Sequence, residues 1–308
     1  MSTEGWRSIR RSRRGNQESD RVVPHPDRRF YPGCVTGPRI FGIPAADAPV
    51  VAVIRRGPSD WCHVGRWDLE TMDYQPGSWL RGTIYPQRCD LSPDGRWLCY
   101  FTLKASADWP AGATYIAISR LPWLTALTAW GTGGTWTNGL HFVGDTDVWP
   151  TEPPDEGDPS RVRRRYGLAF TRAESFAVER RRGWTETPET PSRDQDDAWD
   201  QRREVAMQKP SPSNADVRLL AQGCYAAFRT MEPERYGESS YSIDDGSGPR
   251  VLDDVQWTEW SGDGRLLVAT RDGRLQWRDE DGEAVRWETD LAALAPERSP
   301  PPVEAREW

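Results

Sequence analysis

Lysine is nearly missing from this chain of 308 residues: of its 40 basic residues only Lys104 and Lys209 are lysine. Such a preference for arginine fits the codon usage of a GC-rich bacterial genome. It does not by itself signal phosphate recognition, although the arginine fork would suit that task. Histidine is scarce too. His25, His63 and His141 stand far apart and form no HExxH or other ligand pattern, so a metal centre has no sequence support. No P-loop, no GxSxG and no GxGxxG within a βαβ pattern is present. Gly131, Gly133 and Gly134 cluster without a following helix and read as a flexible turn, so neither nucleotide chemistry nor any other cofactor is implied. No stretch approaches the roughly 18 consecutive apolar residues of a membrane span. The five cysteines (Cys34, Cys62, Cys89, Cys99 and Cys224) include no CxxC. An odd count without a framework spacing points to free thiols in a reducing compartment.

Tryptophan and strand-like hairpins are what the chain has in quantity. Seventeen tryptophans are spread along it, as expected where large rings fill the space between neighbouring sheets. Residues 90–101, DLSPDGRWLCYF, read as strand, tight turn and strand. Asp94-Gly95 is the expected centre of a type I′ turn, with positive φ at both residues. Trp97 to Phe101 then form an apolar run of the kind buried on both faces. Residues 256–270, QWTEWSGDGRLLVAT, repeat the pattern around Asp263-Gly264. Hairpins ending on an aromatic recur at 63–79, 115–130 and 274–287.

The Ser92-Pro93-Asp94-Gly95-Arg96 run resembles the PD40-type propeller repeat of TolB-like proteins, and Ser261-Gly262-Asp263-Gly264-Arg265 is similar but lacks the proline. Trp67-Asp68 is similar to the dipeptide of WD40 repeats. The resemblance covers under a tenth of the chain and implies a fold, not an activity. That fold is an all-β propeller, with opening strands near residues 39, 89, 140 and 256. Five blades of four antiparallel strands are expected over residues 30–294. Four or six blades, or paired β-sandwiches, are the alternatives.

Charge is uneven along the sequence. Residues 1–150 carry 17 basic and 14 acidic groups, and residues 151–308 carry 23 and 33. The resulting +3 and −10 argue against a general nucleic-acid binder. Residues 1–29, with eight arginines and four acids, read as a disordered basic arm. Its Arg10-Arg11 and Arg13-Arg14 pairs are followed by GNQESD rather than an apolar run. They therefore read as a binding patch in a bacterial cytoplasmic protein and not as an export signal, unlike periplasmic TolB itself. Two polar insertions, 150–165 and 185–203, interrupt the repeats, and the first ends on Arg163, Arg164 and Arg165. The Pro-rich tail 295–308 is expected to be neither helix nor strand, and either loose or laid along the body with Trp308 as its anchor.

These features point to a non-enzymatic scaffold that binds another protein through Arg10, Arg11, Arg13, Arg14, Arg163, Arg164 and Arg165, with nucleic acid a lesser option. One alternative is a glycan-type hydrolase using Asp90, Asp145, Asp147, Asp254 or Glu259 near inner-strand ends. Another is an accessory subunit of a larger complex, docked by the basic arm.

Overall fold

The computed structural model describes residues 37–57, 60–104, 112–135, 139–142, 147–150, 169–170, 177–187, 204–224, 239–297 and 299–307. Residues 35–308 form one compact unit, and the segment before them lies outside the described residues.

Within that unit the chain is all-β, in antiparallel hairpins that follow one another along the sequence. The first group is β1 (Arg39–Pro44), β2 (Val50–Arg56), β3 (Trp61–Asp68) and β4 (Tyr74–Ile84), paired in order. The second is β5 (Asp90–Leu91), β6 (Trp97–Lys104), β7 (Thr114–Arg120) and β8 (Ala126–Gly131). The end of β4 also pairs with β6, so the two groups share one eight-stranded sheet. Next come β9 (Leu140–Phe142), β10 (Asp147–Pro150) and β11 (Ala169–Phe170), with β10 and β11 parallel. The fourth group is β12 (Thr185–Glu186), β13 (Glu204–Pro210), β14 (Arg218–Cys224), β15 (Ser240–Asp244) and β16 (Arg250–Val251). The last is β17 (Val255–Trp260), β18 (Leu266–Thr270), β19 (Arg274–Arg278) and β20 (Val285–Asp290).

Successive side chains of a strand point to opposite faces, and here each face serves a different core. On β2, Val50, Ala52 and Ile54 pack toward the second group while Val51 and Val53 pack toward the last. On β6, Leu98 and Tyr100 join the first group, and Cys99 and Phe101 join β9 and β10. On β18, Leu266 and Val268 meet the fourth group, and Leu267 and Ala269 meet the first. The continuous apolar runs thus mark strands covered on both sides. Trp67 and Trp287, stacked 5.1 Å apart between the first and last groups, are packing residues of the expected kind.

The Asp-Gly turns differ from expectation in one respect. Asp94 is not left-handed; only Gly95 is, at φ +73°. The Gly95 amide donates to Ser92 O at 2.9 Å, which leaves Pro93 and Asp94 as the two central residues and Gly95 as the left-handed residue that re-enters the strand. Ser92 Oγ donates to Asp94 Oδ1 and accepts from Trp97 N, and Arg96 pairs with Asp94 at 2.6 Å. Ser261, Asp263, Gly264 and Arg265 repeat the arrangement, except that the Ser261 hydroxyl accepts from the arginine's own amide rather than from the residue after it. So do Thr270, Asp272, Gly273 and Arg274, a third copy that the sequence reading passes over. The motif is a hydroxyl, then Asp two residues on, then Gly and Arg.

Elsewhere three expectations are corrected. By its place between the two insertions, the stretch 166–184 reads as the resumption of the third repeat unit, but Ala177–Arg181 is a helical turn. Thr185 and Glu186, placed in a polar insertion, form β12 against β13. The tail contains one 3-10 turn, Val303–Arg306, and its buried anchor is Ala305; Trp308 lies outside the described residues.

Replacing Gly95 by Val forces a β-branched residue into the left-handed region, with its Cβ 3.0 Å from Val50 Cβ. We expect a loss of about 2–3 kcal/mol in urea unfolding. An unchanged midpoint would contradict the turn assignment.

Candidate functional site

Four residues after β11, Arg181, Arg182, Gly183 and Trp184, reach into four of the five strand groups. The helical turn before them ends on basic residues, and Gly183 follows at φ +86°, the usual way to stop a helix. Arg182 Nη2 donates to Asp90 Oδ1 and Arg181 Nη2 to Asp90 Oδ2, both at 2.6 Å. Arg182 Nε donates to Pro44 O at 3.0 Å, at the end of β1. Trp184 Nε1 donates to Glu259 Oε2 on β17 at 2.7 Å. The chain then enters β12.

Each of the two carboxylates at the centre of this network accepts several hydrogen bonds. Asp90, fully buried, also accepts from Leu91 N at 2.9 Å and from Phe142 N of β9 at 2.8 Å. Burial acts to raise its pKa, but Arg182, Arg181 and His141 outweigh that and hold the carboxyl below the usual range. Glu259 Oε1 accepts from Lys209 Nζ and from Trp260 N, each at 2.8 Å. One of the chain's two lysines is therefore committed to a largely buried ion pair.

A cavity of about 90 Å³ lies beside these contacts, lined among others by Phe41, Gln87, Cys89, Arg182, Tyr241 and Glu259. Burial pushes the Cys89 thiol and the Tyr241 phenol well up, so neither is ionised near neutral pH. A general acid needs a pKa near the working pH, and Asp90 is displaced away from it. What the arrangement does chemically is hold backbone and side chains in place.

The residues expected to bind fare differently. Arg10, Arg11, Arg13, Arg14, Arg163, Arg164 and Arg165 lie outside the described residues, as does Asp145. The Asp147 side chain is not described either. Asp254 is exposed and pairs with Arg278. Of the described carboxylates considered, Glu259 lines the cavity and Asp90 is bonded to Arg182, which lines it; both are bound to cations. The signal for the unexpected arginines was present: two basic residues ahead of a glycine read as a helix stop. Cys62, Cys89 and Cys99 are free and buried, as expected; the side chains of the other two cysteines are not described. Among the described residues no helix is long and apolar enough to cross a membrane.

No family model matches the chain, and no curated protein matches it. Among solved structures it is similar to an uncharacterized protein of Listeria monocytogenes EGD-e, at 10% identity and a TM-score of 0.24. That match covers 82% of this chain and 66%, just under two thirds, of the other. Kuenenia stuttgartiensis hydrazine synthase matches at 13% identity and a TM-score of 0.32, over 80% of this chain and 78% of that one. The β-propeller domain of Myceliophteria thermophila Cps50 (Swd1) matches at 15% identity and a TM-score of 0.18, over 83% and 56%.

Asp90→Asn would leave two part-buried guanidinium groups without their counter-charge, and we expect it to cost about 3–5 kcal/mol in unfolding free energy. The folded pKa of Asp90 lies below its unfolded value. Its contribution is therefore complete above about pH 4 and is lost as pH falls through the folded pKa. Melting curves from neutral to acid pH should show this loss in the wild type and a shallower one in the variant. Parallel pH profiles would remove Asp90 from its assigned role.

Proposed function

We propose that the chain is a five-bladed β-propeller that works as a non-catalytic scaffold for another protein. The carrying observation is that Asp90 and Glu259 are each paired with a cation and held by further hydrogen-bond donors. Both acids are engaged in tying strand groups together, while Glu179 also lines the cavity. Hydrolysis of a glycosidic bond needs one protonated and one ionised carboxyl with space for substrate between them. Asp90, with its pKa depressed and four donors on its oxygens, suits neither role.

Support for radial closure comes from the packing order. The first group packs on the second, the second on the third, the fourth on the last, and the last on the first. Such a body presents its loops from a stiff frame, and binding then falls to loops and termini. Arg10, Arg11, Arg13 and Arg14 of the arm, and Arg163, Arg164 and Arg165 of the first insertion, are the contact positions we assign. They suit an acidic protein surface in a bacterial cytoplasm, whether the partner is a single protein or a larger assembly.

Cross-linking of the tagged full chain in cells, followed by mass spectrometry, should recover a defined partner. Replacing Arg163, Arg164 and Arg165 by Glu should abolish that recovery without moving the melting temperature. Unchanged recovery would remove the arginines from the interface. Turnover of a polysaccharide by the purified chain, lost in Asp90→Asn or Glu259→Gln, would overturn the scaffold in favour of a hydrolase.

A further inference from the structure

After β20 the chain does not stay with its own strand group. Residues 299–302, Ser-Pro-Pro-Pro, lead into the 3-10 turn, and Pro302 has the polyproline values φ −64° and ψ 166°. The turn packs against β7, in the second group. There Arg120 Nη1 donates to Glu304 O at 3.1 Å, and the Ala305 methyl is fully buried. The Arg120 guanidinium lies 5.7 Å over the Trp97 ring, which holds it in place; Arg96 lies 5.6 Å from the same ring.

The surface takes little from the side chains it holds. Pro301 and Pro302 are half-buried, whereas Val303, Glu304, Arg306 and Glu307 are exposed, with Val303 at 72%. Recognition rests on a polyproline approach, one backbone carbonyl and one methyl group three residues after the second proline. Any extended segment reading Pro-Pro-x-x-Ala offers the same groups. Tethering raises the local concentration of the chain's own tail, and a free segment competes against it.

We propose that the Arg120 surface of β7, backed by Trp97, is a docking site for proline-rich segments of the form Pro-Pro-x-x-Ala from another protein. In the isolated chain residues 301–305 occupy it in cis. The inference goes beyond the scaffold reading and does not need radial closure. If the peptide binds and no cellular partner is recovered, the scaffold reading fails alone. If a partner is recovered and the peptide does not bind, the docking site fails alone.

The test is a fluorescence titration of a labelled peptide of residues 296–308 with the full chain, wild type or Ala305→Arg. The arginine cannot enter the buried position, so it frees the surface. The variant should bind the peptide at least about tenfold more tightly than the wild type, because the competing tail no longer populates the closed state. Arg120→Met added to that variant should abolish binding. An unrelated peptide with the same Pro-Pro-x-x-Ala pattern should bind comparably. Binding of the chain's own sequence alone would mean a site for a second copy's tail, and would overturn the proposal. Equal affinity of wild type and variant, or no binding by either, would also overturn it. As a check that needs no variant, excess peptide should speed hydrogen exchange at the Ala305 and Glu307 amides of the wild type; unchanged exchange counts against the site.

Discussion

One buried carboxylate holds together more of this molecule than any other single group described. Asp90 receives two guanidinium groups and two backbone amides, with donors on β5, on β9 and on the segment between β11 and β12. A charge taken out of water is tolerated only when counter-charges and hydrogen bonds replace its hydration. Here both oxygens are doubly occupied, so one side chain ties β5 to β9 and to the segment that leads into β12. Arg182 extends the network to β1 through Pro44, and Trp184 extends it to β17 through Glu259.

That network also bears on activity. A site that catalyses by proton transfer keeps a titratable group poised and reachable. Asp90 is neither, and the Cys89 and Tyr241 groups at the cavity are held protonated by burial. Asp90 and Glu259 are spent on architecture.

The apolar runs were legible because a strand covered on both faces writes itself as consecutive hydrophobic residues, as in Val50 to Ile54 and Leu266 to Ala269. The SPDGR and SGDGR turns were legible because glycine and aspartate have local reasons to be there. The type of turn was not, since it depends on the Gly95-to-Ser92 hydrogen bond rather than on the dipeptide alone. Residues 177–184 were misjudged for a different reason. The helix-stop pattern of Arg181, Arg182 and Gly183 carries weight only once those arginines have an acid to meet.

By itself the sequence settled that the chain is all-β, where many of its strands run and that their cores lie on both faces, because alternation and turn chemistry act over a few residues. Only the tertiary structure decided which carboxylates are free for chemistry and where the tail goes. Asp90 and Arg181 are 91 positions apart and Arg120 and Glu304 are 184 apart. Contacts at such separations depend on how the sheets stack, and no local propensity encodes that.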